Sequence, residues 1–258
     1  MSGSSPPSQS GGVSVGPAPS SKGRLTVDLD ALAANYRTLR QRSAPAETGA
    51  VVKCDAYGLG LAPVANALRD AGCRTFFVAQ AEEGAKLRAC LAPDQPDVAI
   101  YVFSGCMKDE ENLFRSNALR PVLNSLTQIE RWAAFVRSRP DAPAAAIHVD
   151  TGMNRLGLSA EEFAGLRSDA GVIEALKADL VMSHLANGAE PANPMNRRQA
   201  ERFAEVAAAL PGVRASLANS AGVLLGEAYR FDLTRPGIAI YGGGPFGDPH
   251  PDLRCVAT

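Results

Sequence analysis

Gly49-Ala-Val-Val-Lys53, Ala62-Pro-Val-Ala-Asn-Ala-Leu-Arg-Asp-Ala71 and Thr75-Phe-Phe-Val-Ala79 follow one another in the chain. The outer two are short apolar runs rich in β-branched or aromatic residues, and the middle one spaces its apolar residues at helical period. Strand, helix and strand within about 30 residues is the repeating unit of a parallel sheet. The rhythm continues outward. Further strand-like runs lie at 98–103, 120–123, 145–150, 179–183, 214–218 and 235–241, making eight with 49–53 and 75–79. Helical stretches fill most gaps, among them Ala81–Leu91, Leu126–Ser138, Ala160–Leu166 and Arg197–Leu210. Eight strand-like runs separated by helices predict an α/β fold of the (β/α)8 barrel type; a doubly wound open sheet usually has fewer strands.

Composition agrees with one large α/β domain. The chain has 258 residues, 46% hydrophobic and 21% charged, with 26 basic and 27 acidic residues and a formal net charge of -1. That balance excludes a strongly basic nucleic-acid binder. No apolar run approaches the ~20 residues that span a bilayer, so no membrane partner is expected. Five cysteines at 54, 73, 90, 106 and 255 form no CxxC pair, and the three histidines at 148, 184 and 250 are widely spaced. A disulfide framework and a metal cluster are both disfavoured, and a reducing cytoplasm is the expected location.

Residues 1–23 stand apart: 17 of them are Ser, Gly or Pro, which predicts a disordered leader. From Arg24 the pattern changes. Leu25–Leu29 alternates like a short strand, and Asp28 or Asp30 can cap a helix beginning near Ala31. The barrel is expected over 24–245. Tyr241-Gly-Gly-Gly-Pro-Phe-Gly-Asp-Pro249 reads as a linker, and Leu253–Thr258 as the opening strand of another domain, without a partner in this chain.

In a barrel, the residues just after each strand line the functional face. Those positions hold Lys53 through Gly60, Asp150 through Gly157, Ser183-His184 and Asn219-Ser220-Ala-Gly222, with Arg235-Pro-Gly-Ile238 opening the eighth strand. Lys53 leaves an apolar strand interior, a setting that makes an amine nucleophilic, although a lysine there can also simply reach solvent. Tyr57 offers a hydroxyl, with flexible backbone at Gly58 and Gly60. A helix start at Asn219-Ser220 and the backbone of Gly237-Ile238 offer N–H groups suited to phosphate.

These segments resemble the alanine racemase family. Ala50-Val-Val-Lys-Cys-Asp-Ala-Tyr-Gly-Leu-Gly60 is similar to its pyridoxal-phosphate attachment motif. His148-Val-Asp-Thr-Gly-Met-Asn-Arg-Leu-Gly157, Ser183-His184, Ala218-Asn-Ser-Ala221 and Arg235-Pro-Gly-Ile-Ala-Ile-Tyr-Gly242 are similar to its other blocks, in order. The resemblance spans about residues 25 to 258. It implies a barrel followed by a β-rich C-terminal domain, the latter expected to be absent here, and a homodimer that interconverts L- and D-alanine to supply D-alanine for peptidoglycan.

The resemblance also implies roles. Lys53 would carry pyridoxal 5'-phosphate and then act as a base on the substrate's α-carbon. Tyr57, Ser220, Gly237 and Ile238 would bind the phosphate, with Asn219 beside them. His184 would pack against the pyridine ring and Arg235 would face the pyridine nitrogen. Arg155 would reach the cofactor's phenolic oxygen and the substrate carboxylate. No metal is implied. In the family a tyrosine from the partner's C-terminal domain serves the substrate face opposite the lysine, and no residue here matches it.

Two positions depart from the pattern. His148 stands where the family often has a lysine, carbamylated in some members, that orients the arginine matching Arg155. Leu59 stands where histidine is common. Rival readings accompany the resemblance, of which a purely structural or interaction protein leaves the five strand-end motifs unexplained. A single-barrel pyridoxal-phosphate homeostasis protein matches the Arg155 and Arg235 blocks less well. A racemase for another amino acid is a further reading of the same blocks. A decarboxylase of this fold would set an acidic residue, not Arg235, against the ring nitrogen.

Overall fold

The computed structural model describes residues 23–91 and 98–258, so most of the expected leader lies outside the described residues. Among the described residues, nine short strands carry the fold: β1 Glu47–Thr48, β2 Ala50–Val51, β3 Thr75–Val78, β4 Ala99–Val102, β5 Leu119–Leu123, β6 Ala146–His148, β7 Leu180–Met182, β8 Arg214–Ser216 and β9 Leu233–Thr234. Strands β2 to β8 form one parallel sheet in sequence order. β1 runs straight into β2 and pairs in parallel with β9. Strand β9 in turn lies against β8, where Asp232 N–H donates to the Ala215 carbonyl at 3.0 Å and Ser216 Oγ bonds the Leu233 carbonyl at 2.5 Å. The first strand, split at Gly49, thus meets the last and closes the barrel.

The eighth strand corrects the sequence reading. It is Leu233–Thr234, not 235–241. Pro236 has no N–H to give a ladder, and Ile240 and Tyr241 donate back to Gly237 and Ile238 at 2.8 and 3.1 Å, so 237–241 coils into turns. Arg235 therefore follows the last strand instead of opening it.

Helices alternate with the strands: α1 Leu29–Ser43, α2 Lys53–Tyr57, α3 Leu61–Asp70, α4 Ala81–Cys90, α5 Glu111–Ser116, α6 Leu126–Ser138, α7 Ala160–Arg167, α8 Ala170–Ala175, α9 Pro194–Ala208 and α10 Ser220–Leu225. Asp28 caps α1 through Oδ1, which accepts from Ala31 N–H at 2.8 Å. Alternation within strands builds two apolar regions. Phe76, Val78, Ile100 and Val102 face outward against Leu68, Leu87 and Trp132 of the helices. Phe77, Ala99, Tyr101, Val122 and Met182 fill the barrel interior. Polar groups close its N-terminal end. Tyr101 donates to the Asp179 carboxylate at 2.9 Å and accepts from Arg120 and Arg214 at 3.1 and 3.2 Å. Burial raises the pKa of both Tyr101 and Asp179.

The end of the chain also differs from expectation. Its last residues do find a partner: Val27 and Ala257 form an antiparallel bridge, with Thr26 N–H donating to Thr258 O and Asp28 N–H to Val256 O, both at 2.8 Å. Leu25–Leu29 makes this bridge and no longer strand. The Asn35 amide clamps the same segment, donating to Arg254 O at 2.9 Å and accepting from Arg254 N–H at 2.7 Å. Among the described residues, no helix is long and apolar enough to cross a membrane, and no group of His, Cys, Asp and Glu could hold a metal.

Candidate active site

A cavity of about 500 Å3 opens at the C-terminal ends of the strands. Every candidate residue reaches it: Lys53, Tyr57, Arg155, His184, Asn219, Ser220, Arg235, Gly237 and Ile238 all line its wall. His148 lines it too. Among the described lining residues none is Asp or Glu, whereas three are Lys or Arg.

Lys53 opens α2, and α2 is left-handed. Cys54, Asp55, Ala56 and Tyr57 have φ of 55°, 53°, 54° and 57°. An L-residue in this conformation costs about 1–2 kcal/mol, and none of the four is glycine. The turn bends the chain so that Lys53 and Tyr57, at its two ends, both face the cavity. Its backbone bonds include Ala56 N–H to Val52 O at 3.1 Å and Gly58 N–H to Cys54 O at 2.9 Å. The Tyr57 ring lies 4.6 Å from that of Tyr241, whose hydroxyl donates to Val51 O at 3.0 Å. Burial raises the Tyr57 pKa, so it remains a phenol at neutral pH.

Opposite, the segment from Arg235 to Ala239 wraps around Ser220. The Ser220 hydroxyl accepts from Gly237 N–H at 2.9 Å and Ala239 N–H at 3.1 Å. Two acceptor positions are thereby filled and its own hydrogen stays free to donate. Gly237 lies directly against Tyr57: a Cβ at that position would fall 2.3 Å from the Tyr57 hydroxyl.

Arg235 is 2% exposed. Its guanidinium donates to Ser183 O at 2.5 Å, Leu217 O at 3.4 Å and Ser216 Oγ, all neutral oxygens. Burial lowers its pKa to about 9, still cationic at neutral pH. His184 contacts Asn219, with Nδ2 and Nε2 3.4 Å apart, while Asn219 Oδ1 caps α10 by accepting from Gly222 N–H at 3.0 Å. The amide therefore donates to Nε2. Gln199 fixes the backbone below, donating to His184 O at 2.8 Å and accepting from Ala186 N–H at 2.8 Å.

Arg155 rises from a loop that folds back on β6. Leu158 N–H donates to His148 O and Asp150 N–H to Leu158 O, each at 2.8 Å. The Asp150 carboxylate collects the N–H groups of Gly152, Met153 and Asn154. His148 is held by Asn124, whose Oδ1 lies 2.7 Å from Nδ1. Both amide hydrogens of Asn124 are spent on the carbonyls of Phe103 and Val122, each at 2.8 Å. Only its oxygen can face the histidine, so Nδ1 carries the proton and Nε2 is bare.

Burial, then the charges of Arg235 and Arg155, push both histidines down: His148 to about 4 and His184 to about 3. A base whose folded pKa lies below its unfolded value of about 6.5 takes up its proton on unfolding. Without added ligand, stability is expected to hold above pH 6.5 and to fall as pH drops from there, through about 4 for His148 and about 3 for His184. The slope approaches about 1.4 kcal/mol per pH unit for each proton taken up. Urea unfolding of the chain and of His148→Gln from pH 7 to 4 measures this, and the variant should show the shallower loss.

Sequence reading missed Asn124, Glu83 and Gln199. Asn124 was within reach, since it directly follows β5 at a strand end. Glu83 carries a visible signal, the capping box of α4, but its bond to the Lys53 turn is tertiary.

Residues 27–245 match the family model described as alanine racemase, N-terminal domain. The chain is 51% identical over 239 residues to the alanine racemase of Rhizobium meliloti (strain 1021), covering 93% of this chain and 62% of that protein. To the alanine racemase of Brucella abortus (strain 2308) it is 46% identical over 223 residues, covering 86% and 56%. Among solved structures it is similar to alanine racemase from Bartonella henselae with covalently bound pyridoxal phosphate. There the TM-score is 0.85 at 42% identity, over 90% of this chain and 67% of that one. It is also similar to alanine racemase from Streptomyces coelicolor A3(2), with TM-score 0.83 at 32% identity, over 91% and 64%. The chain thus spans about 62% of the length of several curated relatives that it matches.

Proposed function

The chain belongs to the alanine racemase family by its match to that family's N-terminal domain, and we propose that its cavity binds pyridoxal phosphate at Lys53 and moves the α-proton of alanine. One observation carries the reading. Lys53, Tyr57, Arg155, His184, Asn219, Ser220, Arg235, Gly237 and Ile238 meet in one cavity whose lining, among the described residues, holds three cations and no carboxylate. Such a wall favours an anionic ligand.

The residues fit this cofactor. Arg235 buries a positive charge whose hydrogen bonds all end on neutral oxygens and which lies 5.9 Å from the centroid of the Phe77 ring, and a buried charge without a counter-charge is costly, so a further electron-rich partner is favoured beside it. Ser220 keeps a hydroxyl hydrogen to donate, and Gly237 leaves room for the Tyr57 hydroxyl beside it. When bound, pyridoxal phosphate supplies an electron sink conjugated to the substrate's α-carbon.

Lys53 would hold the cofactor through Nζ and, once released by the substrate amine, take or return the α-proton on one face. The hydroxyls of Tyr57 and Ser220, with the backbone of Gly237 and Ile238, would hold the phosphate. His184, oriented by Asn219, would cover the ring face. Arg235 would face the ring nitrogen; a group that donates there leaves the nitrogen unprotonated and tempers the sink, which favours proton return over decarboxylation or transamination. Arg155 would meet the phenolic oxygen and the substrate carboxylate. Inversion needs a second base on the other face. We assign that base to a region beyond the barrel, contributed by the partner subunit of a homodimer in a longer protein that interconverts L- and D-alanine and feeds peptidoglycan synthesis.

Proton NMR in heavy water, with pyridoxal phosphate present and L- and D-alanine supplied separately, tests the reading. Loss of the α-proton signal from one antipode without inversion, expected for D-alanine, supports it. Full interconversion would place a second base within this chain or its own dimer. No exchange of either antipode would sink the reading for this chain.

A further inference from the structure

We propose that Glu83 is a positioning residue for Lys53, its carboxylate holding the left-handed turn that presents Lys53 and Tyr57 to the cavity. Oε1 accepts from Cys54 N–H at 2.7 Å, and Oε2 accepts from Ala79 N–H at 2.7 Å and Gln80 N–H at 3.3 Å. One side chain thus ties the residue after Lys53 to the loop that follows β3.

The need for such a tie comes from the conformation of the turn. Four consecutive non-glycine residues in the left-handed region are each disfavoured, so the turn does not hold itself. The first N–H groups of any helical turn lack a partner within it. Cys54 N–H is such a donor, and Glu83 is its acceptor. At the far end a second carboxylate acts likewise, Asp55 Oδ1 accepting from Leu61 N–H at 2.8 Å. A bond from an N–H to a charged oxygen is stronger than one to a carbonyl. Glu83 also stands on the rigid frame, at the third position of α4, where the capping box with Gln80 fixes it. The turn is therefore aligned to the body of the barrel by a group outside the cavity lining.

With Glu83 removed, the turn can relax toward right-handed conformations, and the separation between the Lys53 amine and the Tyr57 hydroxyl is no longer set. A ligand that must engage both groups loses more than one that engages the amine alone. The functional part of this proposal rests on the reading of Lys53 as the cofactor-binding amine; the structural part does not.

The test uses the full chain with Glu83→Ala and Glu83→Gln, the second keeping one uncharged acceptor. Without cofactor, amide hydrogen exchange at Cys54 is expected to rise tenfold or more in Glu83→Ala and less in Glu83→Gln, with Ile100–Val102 of β4 unchanged. Borohydride trapping on Lys53, followed by peptide mapping, supplies the second readout. Glu83→Ala should slow trapping of pyridoxal phosphate tenfold or more and that of pyridoxal much less, with partial recovery in Glu83→Gln. Unchanged exchange at Cys54 overturns the proposal, as does equal slowing of the two aldehydes. Failure of the unaltered chain to trap pyridoxal phosphate on Lys53 overturns the functional reading instead, and the positioning claim is then decided by Cys54 exchange alone.

Discussion

Lys53→Ala is expected to remove the visible absorption that pyridoxal phosphate acquires on a protein amine, together with all borohydride-fixed cofactor. It is also expected to slow α-proton exchange by about 10²–10⁴-fold, the range for loss of a positioned proton-transfer group. The expectation follows from position. Of the described lysines, Lys53 alone lines the cavity, and Lys177 is engaged far off with the Pro140 carbonyl. The side chain is only partly buried, so its truncation leaves no large void and stability should stay within about 0.5 kcal/mol. Absorption spectra and mass mapping on folded variant protein measure the outcome. A reducible band that persists in Lys53→Ala would falsify the assignment, whatever the rate does.

The barrel was legible because its strands are buried on both faces. Runs such as Thr75-Phe-Phe-Val78 and Ala99-Ile-Tyr-Val102 have no charged residue to blur them, and parallel strands read that way. The closing strand was not legible for the opposite reason. Leu233–Thr234 is two residues long between Asp232 and Arg235, while the more apolar Gly237–Tyr241 that follows is bent into turns by Pro236 and by the Ser220 hydroxyl.

The cavity wall was legible in so far as strand ends could be located, and an error of a few residues at β9 still left Arg235 and Gly237 beside a strand end. What holds those residues was mostly hidden. Nothing local in Lys-Cys-Asp-Ala-Tyr announces a left-handed turn, since its support comes from Glu83, 29 residues from Cys54. The partner of His148 is Asn124, 24 residues away. His148 itself was visible only as a departure. In the structure, Asn124 sets its tautomer, and burial, then the nearby cations, hold it neutral. Side chains that touch ligand recur at strand ends, whereas those that brace them follow no spacing rule.

Gly237→Ala carries the second large expectation, a selective loss of phosphate affinity in a folded protein. The new Cβ would lie 2.3 Å from the Tyr57 hydroxyl and 3.4 Å from the Val51 side chain. The first distance is far too short, the Tyr57 Cζ at 3.2 Å is tight and the Val51 contact is ordinary, so the phenol end of Tyr57, led by its oxygen atom, must move. That atom is the tip of a side chain 36% exposed at the cavity mouth, and swinging it outward costs little compared with moving the barrel. The fold and its melting temperature should hardly change, but the hydroxyl leaves the place where the phosphate would rest. One hydrogen bond to a charged group is worth about 1.5–3 kcal/mol, or roughly ten- to hundredfold in dissociation constant. Tyr57→Phe removes the same hydroxyl without crowding. The double variant should therefore bind scarcely worse than either single one, because both changes delete one interaction. Pyridoxal, which has no phosphate, should bind all four proteins alike. If pyridoxal weakens as much as pyridoxal phosphate, the substitution has broken the turn and not the grip. If neither weakens, the Tyr57 hydroxyl does not hold the phosphate.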